Sequence, residues 1–384
     1  MLALDARRRS LLVELESLRA AKNQASEAIA AAKQAGADTA EAIAQVRQVG
    51  EREKQLAQEL ASVEAELHAA LIVLPNLPSA DAADADTVIR SVGEPRSGPA
   101  ADHLELAGPM IDMEAGARLS GARFAYLKGD LVLLELALVR WSFERLRAQG
   151  FEPVIPPVLV REQALFGSGF LPDTEQQIYR LADDELFLVG TAEVALASLH
   201  AGEILDAAAL PLRYAGFSSC FRREAGAAGR DTRGMIRVHQ FDKVEMFVFT
   251  RPEHSAEEHQ AILATEEQLV GDLEIPYRVV LTAAGDLGPS AARKYDLEAW
   301  LPSDGRYREI TSCSNTTDYQ ARRLGVRYRP EGGGGLRTVH TLNGTAMTAR
   351  LMLALLECRQ DEAGAVAVPE ALLPYGAPSR LVAV

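Results

Sequence analysis

Between Phe217 and Phe249 the chain sets arginines, glutamates and an aromatic ring at spacings that suit a polyphosphate and a flat heterocycle. The stretch reads as two antiparallel strands, the first ending at Phe221-Arg222-Arg223-Glu224 and the second running over 238–249. A guanidinium on a strand is rigidly placed, and its fork matches phosphate oxygens. Phe241, early in the return strand, offers a stacking face. Between the strands, residues 225–237 hold three glycines with Arg230, Arg233 and Arg237. Such a basic loop can close over phosphates or reach the end of a nucleic acid. The competing reading is a surface hairpin with a charged tip, since charged side chains mostly stay exposed.

Three other places carry polar groups at strand ends. Residues 185–189 read as a strand, and Gly190-Thr191-Ala192-Glu193 opens a helix to about His200. The threonine and carboxylate could bind an ammonium group or act as N-cap and first-turn acid, and the local pattern favours the cap. Residues 307–310 read as a strand ending in Thr311-Ser312-Cys313-Ser314-Asn315, with Glu309 and Ser312 three residues apart. Oxygen ligands of this kind suit Mg²⁺, which keeps waters and bridges phosphates; the alternative is a lone solvent-facing glutamate. Residues 338–342 read as a strand, Asn343-Gly344-Thr345 as a turn, and 346–359 as a helix with Arg350 in its second turn. There is no G-x-G-x-x-G, no P-loop and no H-E-x-x-H, and no paired Cys/His spacing for zinc.

The elements that must hold these groups follow from composition and periodicity. With 384 residues, 48% of them apolar, two or three domains and a large core are expected. A net charge of −14 excludes a wholly basic nucleic-acid coat, so RNA would be met by local patches. Cys220, Cys313 and Cys358 read as buried thiols in a reducing compartment. The N-terminus has no apolar signal core and no run of about 18 apolar residues occurs, which points to a cytoplasmic protein with no membrane partner.

Residues 1–78 read as an antiparallel helical hairpin. Leu11, Leu15, Leu18, Ala25, Ile29 and Ala32 form one seam, and after Gly36-Ala37-Asp38 a second follows through Leu56, Leu60, Val63, Leu67, Ala70 and Leu74. Asp38 or Thr39 can cap the second helix, and Pro75 to Pro78 end it. The hairpin is either a solvated or dimerising coiled coil, or an arm that touches the backbone of a long RNA. Residues 79–101, rich in Ala, Asp, Pro and Gly, read as a linker, and 102–384 as a second domain. Within that domain 131–148 is an amphipathic helix, and 151–160 is an extended segment whose Pro156 and Pro157 belong at a sheet boundary. The fold class is α+β, the second domain being strand-rich and mainly antiparallel.

Taken together, these segments resemble the class II aminoacyl-tRNA synthetases, and within them the seryl branch. The resemblance covers essentially the whole chain. The hairpin with its Pro-Asn-Leu-Pro exit is similar to that branch's tRNA-binding arm. Asp102-His-Leu-Glu-Leu106 and the stretch 119–130 are similar to the opening of its catalytic domain. Residues 131–160 resemble motif 1, with Pro156 as its proline; Phe221 to Gly226 with 233–245 resemble motif 2; His340 to Thr345 with Arg350 resemble motif 3. Gly190 to Glu193 and Glu309 to Ser314 match segments of the seryl branch.

The resemblance implies ATP-dependent activation of L-serine to seryl-adenylate and transfer to the 3' end of tRNA(Ser), with tRNA(Sec) a further candidate acceptor. It implies Arg222 on the α-phosphate, Arg237 on the distal phosphates, and Arg350 over an adenine stacked on Phe241, these three arginines being the catalytic set. Arg223, Glu224, Val238, Ile310 and Thr311 complete the implied ATP set, and Glu309 and Ser312 hold Mg²⁺. Thr191, Ala192, Glu193, Arg222, Glu245 and Thr345 are the implied serine set. A homodimer through the Pro156 region is implied as well.

The chain departs from the family pattern in four ways. It opens inside the arm's first helix, ahead of which a short globular cap is usual. Arg223 stands where a small serine is common, and alternation points it away from the site. Asn343 to Arg350 is glycine-poor and one residue short, and the linker lacks its usual aromatics. Two other readings compete: a relative that loads a carrier protein, which would not need the arm, and a tRNA-binding paralogue without ATP contacts, which Arg222, Glu224, Phe241, Glu309 and Arg350 argue against.

Overall fold

The computed structural model describes residues 1–172, 177–225 and 233–383; Arg230 and two of the three loop glycines lie outside the described residues. The chain divides into two compact units, Met1–Leu74 and Pro75–Val384.

The first unit is a helical hairpin of α1 (Leu2–Gln34) and α2 (Ala40–Ile72). Each helix has 33 residues, so each runs roughly 50 Å at 1.5 Å per residue. Leu11 and Leu15 of α1 bury against Leu56, Leu60 and Val63 of α2, all of them residues of the two seams. Cross-pairs of Arg7 with Glu59, Arg52 with Glu14 and Arg19 with Glu53 fix the antiparallel sense. These pairs are exposed and contribute little stability individually. The entry to α2 is capped by Asp38, whose Oδ1 accepts the Ala40 N–H at 3.0 Å, while the Thr39 hydroxyl makes no cap bond.

In the second unit eight strands form one sheet. They are β1 (Thr87–Val92), β2 (Glu152–Val154), β3 (Leu212–Phe221), β4 (Gln240–Thr250), β5 (Tyr277–Leu281), β6 (Arg293–Leu301), β7 (Arg306–Thr317) and β8 (His340–Thr348), in the order β1-β5-β6-β7-β8-β4-β3-β2. Among the described residues of this sheet, only β2 and β3 run parallel. Helices α3 (Asp130–Ala148), α4 (Ser255–Asp272) and α5 (Ala349–Cys358) pack on the sheet. The two-residue period of β4 sorts its side chains between faces. Val244, Met246 and Val248 join the helices in the main core, whereas Phe247 and Phe249 join Leu196, Val326 and Tyr328 in a second one. Among the described residues no helix is long and apolar enough to cross a membrane.

Three local expectations change. The stretch 79–101 is not structureless: its Val88, Ile89 and Val92 lie on edge strand β1, paired with β5. Every residue of β1 is exposed, so ladder hydrogen bonds rather than burial hold it, and no apolar alternation announced it. Strand β7 runs on through 311–315 instead of ending there, and β8 continues to Thr348, so that α5 begins only at Ala349 and Arg350 sits in its first turn. β7 pairs with β6 throughout 311–315 and with β8 from Cys313 on, while the end of β8 is held by its pairing with β4, which outweighs local helix preference. The helix expected to reach His200 is short, Glu193–Ala197. Cys220 and Cys313 are buried and Cys358 half-buried, all three unbridged.

Candidate active site

Strand alternation puts Phe241, Lys243 and Glu245 on the sheet face opposite the helices. Arg222 follows directly on β3 beside them. Its Nε–H donates to the Gly190 carbonyl at 3.2 Å, and its guanidinium carbon lies 5.3 Å from the Phe241 ring centroid. The Arg222 backbone is clamped as well: its N–H donates to the His239 carbonyl at 2.9 Å, and its own carbonyl accepts from His239 Nδ1 at 2.8 Å. That bond commits the His239 Nδ1 proton to the backbone, so this histidine is a strut. Glu224, held at φ +51°, forms an ion pair with Arg237 across the mouth of the hairpin.

Glu309 and Ser312 reach the same cleft from β7. Arg350 closes over them, donating from Nη1 to the Glu309 carbonyl at 3.2 Å and from Nε to the Ile236 carbonyl at 3.2 Å. Its Nη1 also stands 3.5 Å from the Glu309 carboxylate. Burial would raise the Glu309 pKa, but Lys294, Arg350, Arg222 and Lys243 together outweigh it and hold the carboxyl below its ordinary value. An ionised carboxylate beside a hydroxyl is a donor set that fits Mg²⁺. Behind the sheet, Glu266 of α4 accepts the Thr345 N–H at 2.8 Å and the Thr311 hydroxyl at 3.2 Å. Thr311 thus borders the cleft while its hydroxyl is spent on the helix layer, and burial drives the Glu266 pKa well up.

A second cavity opens beside the first. Thr191 accepts the Glu193 N–H at 3.2 Å and donates to Glu245 at 3.0 Å, so it is both a helix-entry acceptor and a cleft residue. Glu245 is 2% exposed and forms an ion pair with buried Lys243. Glu193 accepts from Gln320 Nε2 at 2.7 Å and Asn343 Nδ2 at 2.9 Å, and burial, reinforced by the Glu245 charge, pushes its pKa up to about 7. Lys294 lies in the same cavity, 2.7 Å from Asp296.

Arg222, Lys243, Ser312 and Thr345 belong to the walls of both cavities and mark where they meet. The first takes in Glu224, Arg237, Val238, Phe241, Glu309, Ile310 and Arg350 besides. Two expected site residues stand apart. Ala192 is fully buried in the second core, and Arg223 lies outside both walls, its N–H donating to the Gln177 carbonyl at 2.9 Å. Among the polar residues that were missed are Lys243, Lys294, Gln320 and Asn343. Lys243 was readable, being a charge two residues before Glu245 and so on the same face of the strand. Gln320 was not, since it arrives from a helix far along the chain.

Residues 1–78 match the family described as the seryl-tRNA synthetase N-terminal domain, and residues 177–359 match the tRNA synthetase class II core domain (G, H, P, S and T). The chain is 50% identical to a serine--tRNA ligase of Thermobifida fusca, over 98% of this chain and 90% of that one. It superposes on the crystal structure of seryl-tRNA synthetase from Pyrococcus horikoshii complexed with ATP with a TM-score of 0.94 at 40% identity, covering 100% of this chain and 92% of that one. The cytoplasmic serine-tRNA ligase from Naegleria fowleri in complex with AMP gives 0.88 at 31% identity, covering 99% and 90%.

Proposed function

Because this chain belongs to the seryl-tRNA synthetases, a branch of the class II aminoacyl-tRNA synthetases, we infer that the larger serine-to-tRNA reaction is run by the two adjoining cavities described above. The enzyme activates serine with ATP and charges tRNA with it. The observation that carries the residue-level reading is the shared wall of Arg222, Lys243, Ser312 and Thr345. It lets an α-phosphate on one side and a carboxylate on the other come within reach of one guanidinium.

In this reading adenine stacks on Phe241 with Arg350 on its other face, and Glu224 meets its edge. Arg222 holds the α-phosphate, and Arg237, released from Glu224, takes the distal phosphates. Glu309 and Ser312 would hold Mg²⁺, which neutralises phosphate charge when bound. Thr191, Glu193, Glu245 and Thr345 grip the serine ammonium and hydroxyl. The serine carboxylate attacks the α-phosphorus as pyrophosphate leaves; a 3'-terminal ribose hydroxyl of tRNA then takes the seryl group and AMP leaves. Neither step calls for a general base from the Ser-His-Asp repertoire; positioning and charge stabilisation carry them. Alanine is rejected because the groups that pair with the serine hydroxyl would be left buried and unpaired.

The helical hairpin is assigned to the tRNA body, tRNA(Ser) and as a further acceptor tRNA(Sec), and the catalytic unit to residues after the Pro75–Pro78 exit. Two copies pair through α3 and the Pro156 segment. Support comes from Leu133, Leu136 and Ile155, large apolar side chains that are 48%, 58% and 81% exposed on these segments. The enzyme works in the cytoplasm, with which three unbridged cysteines agree. ATP–pyrophosphate exchange across the standard amino acids tests the core of this reading: exchange is expected with serine alone. Exchange driven equally by alanine or threonine would overturn it, and a monomer in sedimentation would remove the dimer.

A further inference from the structure

The segment opening with Asp102-His103 takes no part in the chemistry above, yet His103 is only 4% exposed and hydrogen-bonded at both ring nitrogens. Its Nε2 is 3.1 Å from the Met235 backbone nitrogen, on the limb of the hairpin loop that returns to β4. An amide can only donate, so Nε2 is the acceptor and the ring proton sits on Nδ1. Nδ1 then donates to Glu357 Oε1 at 2.9 Å. The second Glu357 oxygen accepts from the Ser303 hydroxyl at 2.7 Å, so the carboxylate is fixed from both sides.

Glu357 and Arg350 sit seven residues apart on α5, two turns along one side of the helix. Arg350 donates to the carbonyl of Ile236, the next residue after Met235. One helix therefore grips two consecutive residues of the return limb, directly through Arg350 and through His103 from Glu357. The fit at the tether is close. Gly234 adopts φ +78°, and a Cβ there would lie 2.1 Å from His103 Nε2. Met235, Ile236, Arg237 and Val238 all line the first cavity.

We propose that His103 is a positioning residue of the nucleotide cavity: seated on Glu357, its imidazole ties down the Met235 amide and so sets where Ile236 and Arg237 stand. This rests on the reading of that cavity as the ATP site.

Two substitutions separate the bonds. His103→Asn puts an amide where Nδ1 was, keeping Glu357 partnered while leaving the Met235 N–H without its acceptor. His103→Gln puts a terminal oxygen at the Nε2 position and restores that acceptor. In serine-dependent pyrophosphate exchange, H103N is expected to raise the KM for ATP about tenfold with the serine KM within about twofold, and H103Q to stay within about threefold of the unaltered enzyme on both. An unchanged ATP KM in H103N, or equal rises for ATP and serine in both variants, would overturn the proposal. A measurement on the unaltered enzyme stands behind these should a variant not fold: without nucleotide, the Met235 amide is expected to exchange hydrogen slowly, and fast exchange there overturns the tether. Absence of serine-dependent exchange in the unaltered enzyme would sink the ligase reading instead, while amide exchange still decides the tether.

Discussion

Glu309 and Ser312 are three residues apart on β7 and still face one cleft. Alternation alone would send them to opposite sides. The pairing with β6 jumps from Leu297–Thr311 to Glu298–Glu309, so Ile310 is an extra residue in the ladder, and that bulge turns the carboxylate back to the side of the hydroxyl. Bulges of this kind re-aim side chains at sites. If the pair holds Mg²⁺, Ser312→Ala raises the Mg²⁺ concentration needed for half-maximal exchange several-fold, and Glu309→Ala raises it further. A Mg²⁺ titration that coincides with the unaltered enzyme's in both variants would dismiss the assignment.

Arg222→Ala is expected to lower kcat/KM for serine-dependent exchange roughly 100- to 1,000-fold, the usual cost of removing a donor aimed at developing charge. Circular dichroism should be unchanged, because the β3–β4 ladder does not depend on this side chain. Near-normal exchange would refute its place at the α-phosphate.

If Glu193 holds the serine ammonium, its carboxyl, with a pKa pushed by burial to about 7 from an ordinary 4.5, makes serine binding depend on pH. The folded value lies above the unfolded one, so the stability it contributes is complete below about pH 4.5 and is lost as pH rises through 7. An ammonium group favours the ionised form. The KM for serine should therefore fall from pH 6 to pH 8, and Glu193→Gln should flatten that slope. An equally steep profile in E193Q would place the titration elsewhere.

Lys243 and Glu245 are 6% and 2% exposed and bridge each other on one strand face. Removing one partner leaves a buried charge alone, at a cost of about 3 kcal/mol. Lys243→Met should lower the melting temperature and serine affinity together. Adding Glu245→Gln should recover much of the stability without recovering activity. A double variant no more stable than K243M would show that the pair is not the source of the loss.

Deleting residues 3–71 should leave exchange within a few-fold of normal, because the sheet and both cavities belong to the second unit. Charging of tRNA(Ser) should be lost. A truncated enzyme that charges tRNA at the normal rate would detach the hairpin from tRNA recognition.

Much of this was legible in the residues. The helical seams of the arm and the strands on either side of the basic loop follow from periodicity, because each depends on neighbours within one or two turns or along one strand, and Arg222 and Phe241 stand out there by residue type; Glu309 and Arg350 take their expected roles from the family resemblance and their placement from the bulge at Ile310 and the late start of α5. A long, strongly patterned segment reports its own local geometry.

What only the tertiary structure decided depends on partners distant in sequence. The bulge at Ile310 is set by the ladder with β6, Thr345 stays in a strand because it pairs with Glu245 of β4 while Glu266 takes its N–H, and β1 exists because β5 offers an open edge. Gln320 reaches Glu193, and Glu357 reaches His103, across 127 and 254 residues of chain. No local pattern encodes those meetings. They arise when packing of the helices on the sheet brings buried polar groups together and each must find a partner.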